Sequence, residues 1–151
     1  MLILKSALSW GNAGPLVAGI RRFGCYSGAG ESTLRMNSTF ENKLSQIYWN
    51  RFQQFGSTPQ GSFWATEARQ TRRFEIILSE TDKLSGAAGC SLADIGCGYG
   101  ALVDYLLKRP ASSVTSYIGY DISEQLIAAC KRKFEQPWAR FICSSAPDQE
   151  Q

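Results

Sequence analysis

Ser91–Gly100 reads SLADIGCGYG, and its reading decides the fold. Apolar Leu92 and Ala93 lead into Asp94 and Ile95, after which glycine stands at every second position, Gly96, Gly98 and Gly100. An apolar run that stops at alternating glycines predicts a buried strand opening into a tight loop. With no Cβ in the way, a ligand can approach the main chain of such a loop. A helix starting at about Ala101 would turn its unpaired amides toward the same place.

Downstream, Ala101–Arg109 is apolar at Leu102, Val103, Leu106 and Leu107 and is stopped by Pro110, which cannot continue a helix. Ser116–Tyr120 predicts a second strand ending in Asp121. Ser123 can cap a helix to about Phe134 with Leu126, Ile127, Cys130 and Phe134 on its inner face. Pro137 breaks that helix, and Ala139–Cys143 predicts a third strand. Strands alternating with helices define an α/β fold, a Rossmann-like parallel sheet with right-handed crossovers.

Upstream, Ser38-Thr-Phe-Glu41 has the form of a capping box. Phe40, Leu44, Ile47, Tyr48, Phe52 and Phe55 then recur at helical spacing until GSTPQG (Gly56–Gly61) ends the helix. A second helix is expected over about Phe63–Glu80, burying Trp64, Ala68, Phe74, Ile77 and Leu78. The division is therefore a leader over 1–35, an N-terminal helical cap over 36–86, and a partial sheet domain over 87–151.

The leader differs in composition. It holds Lys5, Arg21, Arg22 and Arg35 against Glu31 alone, whereas residues 36–151 balance at twelve basic and twelve acidic side chains. The net charge of +3 therefore lies entirely in a Gly/Ser/Ala-rich segment, and nucleic acid is not indicated as a partner of the folded part. The leader is expected to be disordered, to be translated sequence upstream of a start at Met36, or to be a mitochondrial transit peptide. Cytoplasmic residence is the expectation, with mitochondrial as the alternative. No long apolar run predicts a membrane span. Five scattered cysteines with no C-x-x-C pair, and no histidine, argue against a metal site and for reduced thiols. The lack of imidazole also removes the commonest catalytic base.

In open α/β sheets ligands bind beyond the carboxyl ends of the strands. Asp121 falls at such an end, 25 residues beyond Gly96, where a carboxylate can accept both hydroxyls of a ribose. A dinucleotide fingerprint is G-x-G-x-x-G, with the helix end on a pyrophosphate. Here the pattern is G-x-G-x-G, with Ala101 where the third glycine would fall. Asp94 beside the loop opposes a pyrophosphate and suits a ligand bearing positive charge. A glycine turn alone is often only a tight turn; Asp94 and Asp121 together lift it to a nucleoside site.

DIGCGYG followed by YIGYDIS resembles motifs I and II of class I S-adenosylmethionine-dependent methyltransferases, over roughly Leu92–Ala146. Trp64, Gln70 and Arg73-Phe74 also look like the helical cap that precedes motif I in some small members. The resemblance implies S-adenosyl-L-methionine as cofactor and an unidentified methyl acceptor as the other partner. It places Asp94 at the glycine loop and the cofactor's amino-acid end, and Gly96, Cys97, Gly98 and Gly100 under the methionine and ribose. Asp121 would hold the ribose and Ile122 would pack on adenine. Ser145 or Ala146 would lie at the adenine edge, and Arg69 or Arg73 would meet the cofactor carboxylate. No catalytic residue is assigned, because the sulfonium already activates the methyl group and alignment does most of the work. Cys97 reads as a small residue that fits. The aromatic set Phe40, Tyr48, Trp49, Phe52 and Phe55 reads as core or lid, and Lys131-Arg132-Lys133 as a solvated face.

The family's sheet normally has seven strands, with the fourth beside the first. The sequence reaches only the third, so the domain is expected to be truncated there, with one edge of the first strand unpaired and open to association. The alternatives are a non-catalytic methyltransferase-like partner that needs another chain and, less favoured, an NAD-type oxidoreductase.

Overall fold

Where the sequence alternates apolar runs with turn signals, strands and helices do alternate. The computed structural model describes residues 2–5, 21–22, 38–85, 89–109 and 112–145. In chain order these form β1 (Leu2–Lys5), β2 (Arg21–Arg22), α1 (Ser38–Phe55), a 3-10 turn (Pro59–Ser62), α2 (Glu67–Ser85), β3 (Cys90–Ile95), α3 (Ala101–Lys108), β4 (Val114–Asp121), α4 (Glu124–Lys133) and β5 (Ala139–Cys143). The sheet order is β2-β1-β3-β4-β5, with β1, β3, β4 and β5 parallel and β2 antiparallel at the edge.

The two crossovers β3-α3-β4 and β4-α4-β5 step in the same direction, so a right-handed connection puts α3 and α4 on one face of the sheet. The register gives that face its side chains. Leu92 pairs with Tyr117, Asp94 with Gly119, and Gly119 with Phe141. Leu92, Tyr117 and Phe141 join Leu102, Val103 and Leu106 of α3, Ile127 and Cys130 of α4, Phe134 just beyond it, and Ile77 and Leu78 of α2 in one core. Asp82 of α2 ties the far end together, accepting from Arg109 at 2.6 Å and from the Ser113 hydroxyl at 2.5 Å.

The second helix starts four residues later than expected. Thr58 caps the 3-10 turn through its side chain, and Phe63 takes a left-handed conformation (φ 62°) that ends it before α2 can begin. Ala68, expected inside, is exposed, while the polar Gln70 and Thr81 are buried. Ser38 opens α1 as expected; the capping contact through its side chain lies outside the described residues.

Within the segment expected to be a disordered leader, upstream translated sequence or a transit peptide, Leu2–Lys5 and Arg21–Arg22 are strands; its other residues lie outside the described ones. One expectation is corrected. The edge of the first motif strand was read as unpaired, but β1 runs parallel to β3, Leu2 opposite Leu92 through Lys5 opposite Ile95. The reason for an association at that edge falls away. Four residues with no turn signals on either side are too short for a strand to be read from periodicity, but LILK is apolar enough to lie inside a parallel sheet.

Leu4→Pro would place a proline inside an internal strand, where it cannot serve the ladder. We expect a lower melting temperature and faster amide hydrogen exchange over Leu92–Ile95. Unchanged exchange there would show that β1 does not hold the edge.

Candidate functional site

The glycine loop is pinned from two sides by backbone hydrogen bonds. The amides of Gly96 and Cys97 both donate to the carbonyl of Tyr120, at 2.8 and 2.9 Å. The amide of Gly98 donates to Asp121 Oδ2 at 2.9 Å, and the amide of Ser123 donates to Asp121 Oδ1 at 2.9 Å. The end of β4 thus holds the loop that follows β3. The Asp121 carboxylate keeps spare acceptor capacity, because each oxygen carries two lone pairs and only one is used by each amide. Burial pushes its pKa up, against the three backbone amides that lower it.

The glycines do different work. Gly96, Gly98 and Gly100 all have positive φ (79°, 56° and 79°), which side-chain-bearing residues rarely adopt. A Cβ on Gly98 would meet nothing within 4 Å, so this is the open point of the cradle. A Cβ on Gly100 would come within 2.4 Å of Phe134 Cε2, so that glycine serves the packing of α4 on the loop. Gly100→Ala is expected to cost about 1–3 kcal/mol in backbone strain and a similar amount from overpacking. Gly98→Ala should carry only the strain while blocking the cradle. Thermal melts beside a cofactor titration separate the two; equal melting temperatures would reject the distinction.

Asp94 is buried and accepts from the Tyr117 hydroxyl at 2.8 Å. Its carboxyl pKa is pushed up to about 6, chiefly by burial, against the Tyr117 hydrogen bond. The charge of Arg73 lowers it in part. The Arg73 guanidinium also lies 5.8 Å from the Trp64 ring centre, whereas Arg69 is exposed. Cys97 is buried under the loop, its thiol raised well above its ordinary pKa by a hydrogen bond with Cys130 and by burial. Both thiols donate to the Gly98 carbonyl, Cys130 at 3.3 Å and Cys97 at 3.9 Å. Ile122 is half-buried and its carbonyl accepts from the Cys143 thiol at 3.8 Å; Ser145 is exposed, and Ala146 lies outside the described residues.

The helical cap reaches the same place. Gln70 of α2 accepts from the Tyr99 hydroxyl at 3.3 Å and donates to Ser62 at 3.4 Å. Tyr48 of α1 has its phenol pKa raised by burial and, second, by the negative charge of Asp121, and Phe52 of α1 stacks on Tyr99 of the glycine loop. Tyr117 and the Tyr120 carbonyl were missed in the sequence, whereas Tyr48 falls in the aromatic set read there as core or lid. Period-two alternation puts Tyr117 on the face of Asp94 and could have found it; main-chain acceptors leave no residue signature.

A mainly parallel sheet whose strand ends present an open glycine, a clamped loop and a carboxylate with spare acceptor capacity is an α/β domain of Rossmann-like type. Residues 92–151 match the family described as a methyltransferase domain. A protein of Mycobacterium tuberculosis named as a methyltransferase, Rv1506c, is 44% identical over 61 residues, covering 40% of this chain and 36% of that protein. The chain thus spans just over a third of the length of that relative. A plantazolicin methyltransferase, BpumL, solved with a triazolic desmethylPZN analog and SAH, overlaps 76% of this chain and 45% of its own at 20% identity, TM-score 0.46. A methyltransferase solved with the Haloferax volcanii Trm112 activator overlaps 54% and 37%, at 20% identity and TM-score 0.32. Among the described residues, no helix is long and apolar enough to cross a membrane, and no group of three metal-ligating side chains is gathered.

Proposed function

We propose that this chain carries the cofactor half of an S-adenosylmethionine-dependent methyltransferase. The observation that carries it is the Asp121 clamp on the Gly98 amide, in the segment that matches the methyltransferase family. The residues present fit the cofactor: the open space over Gly98 admits it, and Asp121 has lone pairs left for two ribose hydroxyls. When bound, the cofactor supplies a methyl group already activated by its sulfonium.

The chain's own residues bind and orient. Gly98 gives main-chain access and Asp121 fixes the ribose. Ile122 and Ser145 border the adenine, and Arg73, whose charge acts on Asp94, faces the amino-acid end in preference to Arg69. Tyr48 and α1 cover the strand ends and exclude water. The methyl acceptor is a separate molecule, and the free thiols of the four described cysteines fit a reducing compartment such as the cytosol. A mitochondrial matrix meets the same condition.

The test is a calorimetric titration of the whole chain with S-adenosylhomocysteine, with NADH as comparison. Saturable binding of the first alone is expected. Binding of NADH alone would replace this reading with the oxidoreductase one. A cooperative thermal transition with neither ligand bound would favour the non-catalytic partner.

A further inference from the structure

A cleft of about 350 Å³ opens between α1, the loop after it, the glycine loop and α4, lined by Phe52, Ser57, Tyr99, Ala129, Arg132 and Lys133. None of these is a residue assigned above to the nucleoside. Its volume is at the lower end of the range for small-molecule sites, enough for one substituted ring.

Its walls are aromatic. Trp49 stacks on Phe52 with ring centres 5.7 Å apart and planes inclined by 26°, and Phe52 stacks on Tyr99 at 6.2 Å and 28°. Tyr99 is buried and fixed by its bond to Gln70, while Phe52 is half-buried. The rings are therefore held in place before any ligand arrives, and a flat group gains offset stacking at little ordering cost.

Its rim is cationic. Lys133 is ion-paired with Asp104, and its ammonium lies 4.9 Å from the Phe134 ring centre and 6.0 Å from that of Tyr99. Arg132 is exposed and has no ion pair among the described residues, and no acidic side chain lines the cleft. The basic run of α4 is thus divided: Lys133 is paired with Asp104, and Arg132 stands at the cleft with no ion pair among the described residues. A guanidinium there presents a planar fork suited to a carboxylate or phosphate.

We propose that this cleft binds an anionic group carried on a flat aromatic ring, an aryl phosphate or an aryl carboxylate. The ring lies against Phe52 and Tyr99, and the anion meets Arg132. The inference does not rest on the methyltransferase reading: Tyr99 belongs to the glycine loop, but Phe52 and Arg132 carry the recognition and neither is assigned to the cofactor.

The probes are phenyl phosphate and benzoate, titrated calorimetrically into the whole chain beside phenol and inorganic phosphate. One or both aryl anions should bind saturably, at least about 10-fold more tightly than phenol or phosphate, because stacking and ion pairing add. The tighter of the two identifies the anion. Arg132→Gln, at an exposed position that does not threaten folding, should weaken that binding about 10-fold or more. Phe52→Leu should weaken it too, with the melting temperature followed on the same sample. The S-adenosylhomocysteine titration should be unchanged in Arg132→Gln, so failure here and failure of the cofactor site read differently. No saturable binding of either aryl anion overturns the proposal, as does binding indifferent to Arg132→Gln or matched by phosphate alone.

Discussion

Asp121→Ala is expected to abolish measurable cofactor binding. The carboxylate would hold both ribose hydroxyls, and hydrogen bonds to a charged group are worth about 1.5–3 kcal/mol each. Losing two corresponds to a drop of more than about 100-fold in affinity. The same substitution removes the acceptors for the Gly98 and Ser123 amides, which lie 2.9 Å from the two carboxylate oxygens. The loop is therefore expected to loosen as well, visible as faster hydrogen exchange over Gly96–Gly100. Calorimetry with S-adenosylhomocysteine measures the first effect and exchange the second. Retained affinity with a loosened loop would mean that Asp121 only braces the loop, and the ribose assignment would be withdrawn.

Asp94→Asn should act in the opposite direction on stability. The Asp94 carboxyl is raised to about 6 from an ordinary 3.8, so the folded state binds its proton more tightly than the unfolded chain does. A raised group contributes stability that is fully present below pH 3.8 and is lost as pH rises through about 6. At pH 7.5 the buried charge is thus a cost, on the order of 3 kcal/mol for a shift of this size. Asparagine keeps an oxygen for the Tyr117 hydroxyl, which donates at 2.8 Å, and carries no charge to desolvate. The variant is expected to melt higher than the parent at pH 7.5, with the gap narrowing toward pH 4.5. Asp82, lowered by Ser113 and Arg109, titrates in both proteins and cancels in the difference, whereas the charge of Asp121, also raised, contributes to the Asp94 shift and is read together with it. A gap that is absent at pH 7.5, or that widens on acidification, would sink the argument. A buried carboxylate retained against its own stability is consistent with a role toward a cationic ligand.

The motif region was legible because each of its elements carries its own local signal. Ala139–Cys143 is the strand expected, and α4 has Ser123 as its cap, accepting from the Leu126 amide, with the inner face of Leu126, Ile127, Cys130 and Phe134 buried. The register of β3 on β4 then follows, because a slip of one residue would turn Leu92 and Tyr117 away from the helices. The cap was read less well. Phe63 in a left-handed conformation breaks the second helix where hydrophobic spacing alone runs on, and nothing in the residue type announces it. Gly96, Gly98 and Gly100 look alike in the sequence, yet one opens the cradle and another makes room for Phe134, a residue 34 positions away.

By itself the sequence determined the α/β alternation and the placing of Asp94 and Asp121 at neighbouring strand ends. These rest on periodicity, caps and spacing, which are local. Only the tertiary structure decided that Asp121 clamps the loop through Gly98, that Asp94 leans on Tyr117, and that Leu2–Lys5 closes the edge of β3. Those contacts join segments separated by 23 residues or more, and the energy that selects them comes from burial and pairing across the sheet. Neither is written in any short stretch of the chain.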